Sequence, residues 1–169
     1  DQALTWRELC ARIDALAAGF AAQGVLEGQG VALRAYNQPE TLLAWLALLQ
    51  CGARVLPLNP QLPTALLQEL LPALTIQHQL VLNGDTLPEN LPALTLQAAE
   101  GACAVCWHGE RLVSMTLTSG STGLPKAAVH SAGAHLASAA GVLALMPFAA
   151  GDDWLLSLPL FHVSGQGIL

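Results

Sequence analysis

The residues whose types and spacing best suit chemistry lie in one run, Thr116-Leu-Thr-Ser-Gly-Ser-Thr-Gly-Leu-Pro-Lys126. It begins as a hydrophobic strand and breaks into small hydroxyl and glycine residues. Glycines reach backbone angles that other residues reach only at a cost, so Gly120 and Gly123 let the run curl its N–H groups around a phosphate. Ser119, Ser121 and Thr122 add hydroxyl donors, and Lys126, one of six basic residues, adds a point charge. The pattern is not a P-loop of the Walker type, which needs G-x-x-x-x-G-K-S/T. Here the glycines are three apart and Ala127 follows the lysine. No G-x-G-x-x-G dinucleotide fingerprint occurs in the loop either. Two readings of the bare residues stay open: a grip on nucleotide phosphates, and an ordinary hairpin connection built from the same Ser, Thr and Gly.

A second candidate is His162, in Pro159-Leu-Phe-His162. A lone histidine on an apolar stretch is more often a packed core residue, although an imidazole can also hydrogen-bond a carboxylate or phosphate oxygen. His130 and His135 flank a helix start and read as surface or supporting residues. Cys103-Ala-Val-Cys106 is a CxxC, but no second ligand pair stands at zinc spacing, and Cys10 and Cys51 lie in apolar helical patterns where buried thiols are common. Asp152 and Asp153 read as a solvated turn. No metal ligand is assigned.

These residues need elements to hold them. Thr5 and Glu8 form a capping box, after which Leu9, Ile13, Leu16 and Phe20 recur at helical spacing to a stop at Gly24. A strand is expected over 31–36, a buried helix over 41–50, and a strand over 54–58. Thr64 is expected to cap a short helix ended by Pro72, followed by a strand at 80–82. From 85 to 110 the pattern weakens, with Leu94-Thr-Leu96 the sole strand candidate. A strand over 112–118 feeds the loop, a short strand follows at 127–129, and Ser131 caps a small-residue helix to Leu145. Residues 152–158 read as a final strand. Strands alternating with helices imply an α/β fold, a largely parallel sheet with flanking helices. No internal domain boundary or repeat emerges.

Composition narrows the class. The chain of 169 residues is 53% hydrophobic and 11% charged, with net charge −6. So little charge implies sheets buried on both faces, or apolar surface that a missing partner covers. A start at Asp1 rather than Met, and a stop at Gly167-Ile-Leu169 in what reads as a helix start, fit a piece of a longer protein. The longest apolar run, Leu42 to Leu49, falls well short of the ~20 residues of a spanning helix. No basic leader opens the chain, and no basic cluster suits nucleic acid. A reduced, cytoplasmic protein is expected.

Thr118-Ser-Gly-Ser-Thr-Gly-Leu-Pro-Lys126 resembles the phosphate-binding motif of the adenylate-forming enzymes, the superfamily of acyl-CoA synthetases, adenylation domains and luciferases. It matches at each position up to the lysine, and Ala127 replaces the usual final glycine. Leu4-Thr-Trp-Arg-Glu-Leu9, Leu49-Gln-Cys-Gly-Ala-Arg-Val-Leu-Pro-Leu-Asn-Pro60 and Leu158-Pro-Leu-Phe-His-Val-Ser-Gly165 resemble further elements of that family, in order. Pro125-Lys-Ala-Ala-Val-His130 and Phe161-His-Val-Ser-Gly-Gln-Gly167 are most similar to the o-succinylbenzoate–CoA ligases of menaquinone biosynthesis, the enterobacterial type in particular.

The resemblance implies that residues 1–169 are part of a large N-terminal AMP-binding domain. The ligands implied are ATP, Mg²⁺, coenzyme A and a small-molecule carboxylate. Thr118, Ser119, Gly120, Ser121, Thr122, Gly123 and Lys126 would bind ATP. Lys126 and His162 would take part in catalysis, and His162, Ser164 and Gly165 would line the acyl site. The family's magnesium-binding Glu, ribose-binding Asp and C-terminal catalytic Lys would lie beyond Leu169, so the chain alone is expected to be inactive. A ligase for another carboxylate, an amino-acid adenylation domain and a non-catalytic nucleotide-binding module remain alternatives, and a homo-oligomer stays open.

Overall fold

Helix α1 (Trp6–Ala22) starts as its capping box requires: the Glu8 amide donates to Thr5 Oγ1 at 3.3 Å, and the Thr5 amide donates to Glu8 Oε2 at 2.8 Å. It ends at Gln23, with Gly24 at φ +93° turning the chain. The computed structural model describes residues 3–169 except 86, 88, 89, 104, 119–122 and 147. The chain continues through β1 (Gly30–Arg34), α2 (Pro39–Gln50), β2 (Arg54–Leu58), α3 (Thr64–Leu70) and β3 (Ile76–Val81). After a long irregular stretch come β4 (Leu112–Thr118), β5 (Lys126–Ser131), α4 (Ala132–Leu145) and α5 (Val163–Gln166).

The strands form one five-stranded sheet in the order β3-β1-β2-β4-β5. β1 lies parallel to β2 and β3, β2 lies parallel to β4, and only the β4/β5 pair is antiparallel. Phe20, Trp45 and Leu48 of α1 and α2 pack with Val31, Leu33 and Val55 on one face. On the other face Leu67, Leu70 and Leu71 cover Ala32, Leu56, Leu58 and Met115. β1 is therefore buried along its whole length, as the apolar strands of a sheet covered on both sides must be. Each fully buried leucine contributes roughly 1.5–3 kcal/mol through removal from water.

The mostly parallel sheet with flanking helices is the architecture expected from the sequence, and several local expectations need correction. Pro63, not Thr64, stands at the N-cap of α3, and the Thr64 hydroxyl is buried without a partner. Pro72 does not stop the chain's turning: a 3-10 turn runs through Leu71–Leu74, and proline near its start needs no N–H there. β3 begins at Ile76 rather than Leu80.

Residues 94–96 are not a strand. Leu94 donates to the Gln79 carbonyl at 2.7 Å, but the Gln23 side chain then takes both backbone groups of Thr95, at 2.8 and 3.1 Å. Residues 152–158 form no ladder either. Asp152 closes its own turn by accepting from the Ala149 amide at 2.7 Å. The helix near the end is α5, which Gly167 terminates rather than starts. Cys10 is exposed, against the expectation of a buried thiol, while Cys51 is buried.

Candidate functional site

Four parallel strands run β1, β2, β3 and β4 with their C-terminal ends on one edge of the sheet. Ligands of open α/β sheets bind off such edges. The base of the hairpin lies there, because β4 ends at Thr118, whose antiparallel register partner is Lys126. The Thr118 hydroxyl donates to the Lys126 carbonyl at 3.1 Å, which closes the mouth of the hairpin and leaves the Thr118 oxygen as an acceptor. Ser119, Gly120, Ser121 and Thr122 lie outside the described residues. Gly123 holds φ +96°, a left-handed conformation that disfavours side chains, and an added Cβ would meet nothing there. Its glycine is thus required by backbone conformation and not by crowding. Lys126 is exposed.

A cleft of about 180 Å³ joins this hairpin to the second candidate region. Pro57, Asn59 and Leu62 form one wall, Leu117, Thr118 and Pro125 another, and Phe161 and His162 close it. Thr118 and His162, 44 positions apart in sequence, are thereby brought to one space. His162 is exposed, immediately precedes α5, and has its ring edge-on to Phe161 with centroids 4.9 Å apart. Among the described residues, Gly123, Lys126, Ser164 and Gly165 do not line this cleft. Gly165 is buried, and a Cβ there would collide with the Pro159 carbonyl and come within 2.7 Å of the Leu158 oxygen. Close packing of α5 on the preceding turn accounts for glycine at that position.

Several residues that position the cleft were not singled out in the sequence. Arg34, 1% exposed, donates from its guanidinium to the carbonyls of Asp85, Pro60 and Leu62 at 2.6, 2.7 and 2.7 Å. It ties the Asn59–Leu62 wall to β1 through backbone carbonyls. Gln166, 5% exposed, donates to Thr116 Oγ1 at 2.9 Å and to the Leu160 carbonyl at 3.2 Å. It links α5 to the strand that feeds the loop. Asn37, in the turn after β1, donates to the Leu158 carbonyl at 2.8 Å and accepts from the Leu160 amide at 3.1 Å. A sequence could have flagged the buried charge of Arg34 within an apolar strand, but not its partners.

The remaining candidates fall elsewhere. His135 Nε2 lies 2.8 Å from Ser114 Oγ, and burial, then the neighbouring His130, push its pKa below the usual histidine value. His135 lines a larger cavity of about 290 Å³, together with Trp45, Trp107, Ser114 and Gln166 among others, while the His130 ring centroid lies 5.5 Å from that of His135. Cys103 packs toward Ala17 and Cys51, whereas Cys106 is exposed, so the CxxC thiols do not share a site. Burial, with the adjacent Cys103, pushes the Cys51 thiol up to about 12, which keeps it protonated and unreactive. Among the described residues, no group of three or more His, Cys, Asp or Glu comes together to hold a metal ion, and no helix is long and apolar enough to cross a membrane.

Comparison with known proteins places these features in context. The AMP-binding enzyme family matches residues 1–169. The 2-succinylbenzoate–CoA ligase of Escherichia coli is 69% identical over 169 residues, all of this chain and 38% of that protein. That of Haemophilus influenzae is 42% identical over 166 residues, 98% of this chain and 35% of that protein. The chain therefore spans just over a third of the length of these curated relatives. A solved structure of E. coli MenE with bound OSB-AMS superposes with a TM-score of 0.94 at 69% identity, covering 99% of this chain and 38% of that one. The o-succinylbenzoate CoA synthetase of Bacillus subtilis, in complex with the acyl-adenylate intermediate OSB-AMP, gives 0.87 at 26% identity, covering 99% of this chain and 46% of that one.

Proposed function

Since the chain belongs to the AMP-binding enzyme family, we propose that the full-length protein is an ATP-dependent acid–thiol ligase that converts o-succinylbenzoate to o-succinylbenzoyl-CoA for menaquinone biosynthesis. The observation that carries the substrate assignment is the 69% identity, sustained over the entire chain, to a 2-succinylbenzoate–CoA ligase. Residues 1–169 are then part of the N-terminal AMP-binding domain. They do not turn over substrate alone.

The reaction has two steps. A carboxylate oxygen of the substrate attacks the α-phosphorus of ATP, and pyrophosphate leaves with the bond to the β-phosphate oxygen broken. The CoA sulfur then attacks the acyl carbonyl, the thiol proton is lost, and AMP departs. In the first step negative charge grows on the phosphates, so donors fixed in advance around them lower the barrier. Residues 118–123 and Lys126 are suited to that grip: the hairpin is held closed at its base by the Thr118–Lys126 bond, and the exposed Lys126 carries a positive charge. His162 faces the same cleft from the opposite side, where its imidazole can orient the carboxylate or guard the approach of CoA, with Ser164 and Gly165 in the supporting turn. Magnesium would neutralise the phosphates of ATP. Among the described residues, no group of three or more His, Cys, Asp or Glu comes together to hold it.

The test is ATP–pyrophosphate exchange by the full-length protein, followed by thioester formation with CoA. Exchange with o-succinylbenzoate, and little with fatty acids or amino acids, is the expected result. Exchange driven by another carboxylate instead would overturn the substrate. Absence of exchange with every carboxylate would leave a nucleotide-binding module.

A further inference from the structure

We infer that Asn37 is a positioning residue for His162, acting on it through the turn that precedes it, a proposal that rests on the reading of His162 as part of the acyl site. The segment 158–160 precedes the cleft-lining Phe161 and His162, and among the described residues no strand pairs with it. Its two outward backbone groups, the Leu158 carbonyl and the Leu160 amide, are those a neighbouring strand would take in a ladder. The Asn37 side-chain amide takes both, donating at 2.8 Å and accepting at 3.1 Å, from 121 and 123 residues away in sequence. Asn and Gln are suited to this substitution, since a primary amide carries one acceptor and two donors in the plane of a peptide.

The next links are short. Leu160 is buried in the core against α1 and α2, and its own carbonyl is held by Gln166. The His162 amide donates to the Pro159 carbonyl at 3.0 Å, so the turn that presents the imidazole grows directly from the clamped segment. Every backbone polar group of Leu160 is thus fixed by a side chain from another element. Asn37 itself is exposed and does not line the cleft. Any effect it has on chemistry must therefore pass through the 158–162 turn. Asn37 follows β1 and Thr118 ends β4, parallel strands of the same sheet, so the clamp sets the acyl-site turn in a frame shared with the phosphate loop.

The experiment is a double-mutant cycle in the full-length protein: Asn37→Ala, His162→Ala and the pair, each measured for kcat and KM toward o-succinylbenzoate, CoA and ATP, with a thermal melt of each. Misplacing a reacting group by ~1 Å costs up to about 10²-fold, so Asn37→Ala should lower kcat/KM for the carboxylate or CoA by ~10–100-fold. KM for ATP should stay within ~2-fold. Residues that act as a unit are non-additive, so in the His162→Ala background the same change should cost less than ~3-fold.

An Asn37→Ala loss of equal size in both backgrounds, a matching loss in ATP binding, or no loss at all would overturn the proposal while leaving the function standing. A His162→Ala variant with unchanged acyl and CoA use would overturn the role of His162, and this proposal with it. Asn37→Asp keeps the acceptor for Leu160 and loses the donor to Leu158. It should show a smaller loss in the same direction, and it carries the cycle if Asn37→Ala does not fold.

Discussion

Lys126 and His135 are both titratable residues near the hairpin, yet they call for opposite experiments. Lys126 is exposed, and among the described residues its backbone carbonyl takes the Thr118 hydroxyl at the base of the turn. Lys126→Ala in the full-length protein should therefore melt as the wild type does, since surface changes of this kind stay within about 0.5 kcal/mol. Loss of one preorganised donor should still slow adenylation by roughly 10²–10³-fold. Unchanged pyrophosphate exchange would remove Lys126 from the site. His135 lies away from the cleft and should act on stability instead. Burial, then His130, holds its folded pKa below the unfolded value, so folding favours the neutral ring. The associated stability is fully present above the ordinary histidine pKa of about 6.5 and is lost as pH falls through the folded value. His78, lowered by burial in the same way, adds to that trend. Melting temperature should fall between pH 7.5 and 5.5, and His135→Gln should flatten the profile. A rise in stability on acidification would contradict the assignment.

At the scale of elements, what was legible in the sequence is what has a local cause. The Thr5–Glu8 box, the Ser131 cap and the β-rich runs of β2 and β4 carry their own signals, and each of these elements forms where expected. β3 was only half legible. Gln77, His78 and Gln79 look like loop residues, yet they lie in the strand, where His78 meets Gln29 at 3.1 Å and Gln77 accepts from the Gly30 amide at 2.6 Å. The candidate site divides in the same way: Thr118 and His162 stand out by residue type, while the clamp of Asn37 and the Thr116–Gln166 bond join residues whose proximity no local pattern encodes. Gly165 shows how a motif residue can owe its identity to packing. A methyl group there would strike the backbone of Leu158 and Pro159, which is anchored by Asn37 and cannot give way cheaply. Gly165→Ala should destabilise the protein by about 1–3 kcal/mol, the range for overpacking, and impair acyl use along with it. Loss of acyl use with an unchanged melting temperature would instead place Gly165 in contact with substrate.

The whole molecule is unevenly finished. The sheet is covered on both faces around β1 and β2, but α4, almost wholly apolar, has Ala132 as its one buried residue. Leu136 is 70% exposed and Leu145 86%, and Met146, Phe148, Trp154 and the 79% exposed Leu155 continue the surface. Phe148 and Trp154 stack at 4.8 Å but shield each other only in part. An isolated domain rarely exposes so many large apolar side chains on neighbouring segments unless something binds there. The matched relatives are more than twice as long as this chain, and their additional residues are the covering expected for this face. Residues 1–169 expressed alone should therefore self-associate in a concentration-dependent way, measured by sedimentation velocity, whereas the full-length protein should not do so through this face. Leu136→Glu together with Leu145→Glu should render the short chain more monomeric, because charge on an exposed surface costs little there and opposes association. The same pair should destabilise the full-length protein, where those carboxylates would be buried without partners. A short chain that stays monomeric at high concentration, or a full-length protein indifferent to the two glutamates, would show that α4 faces water in the finished molecule.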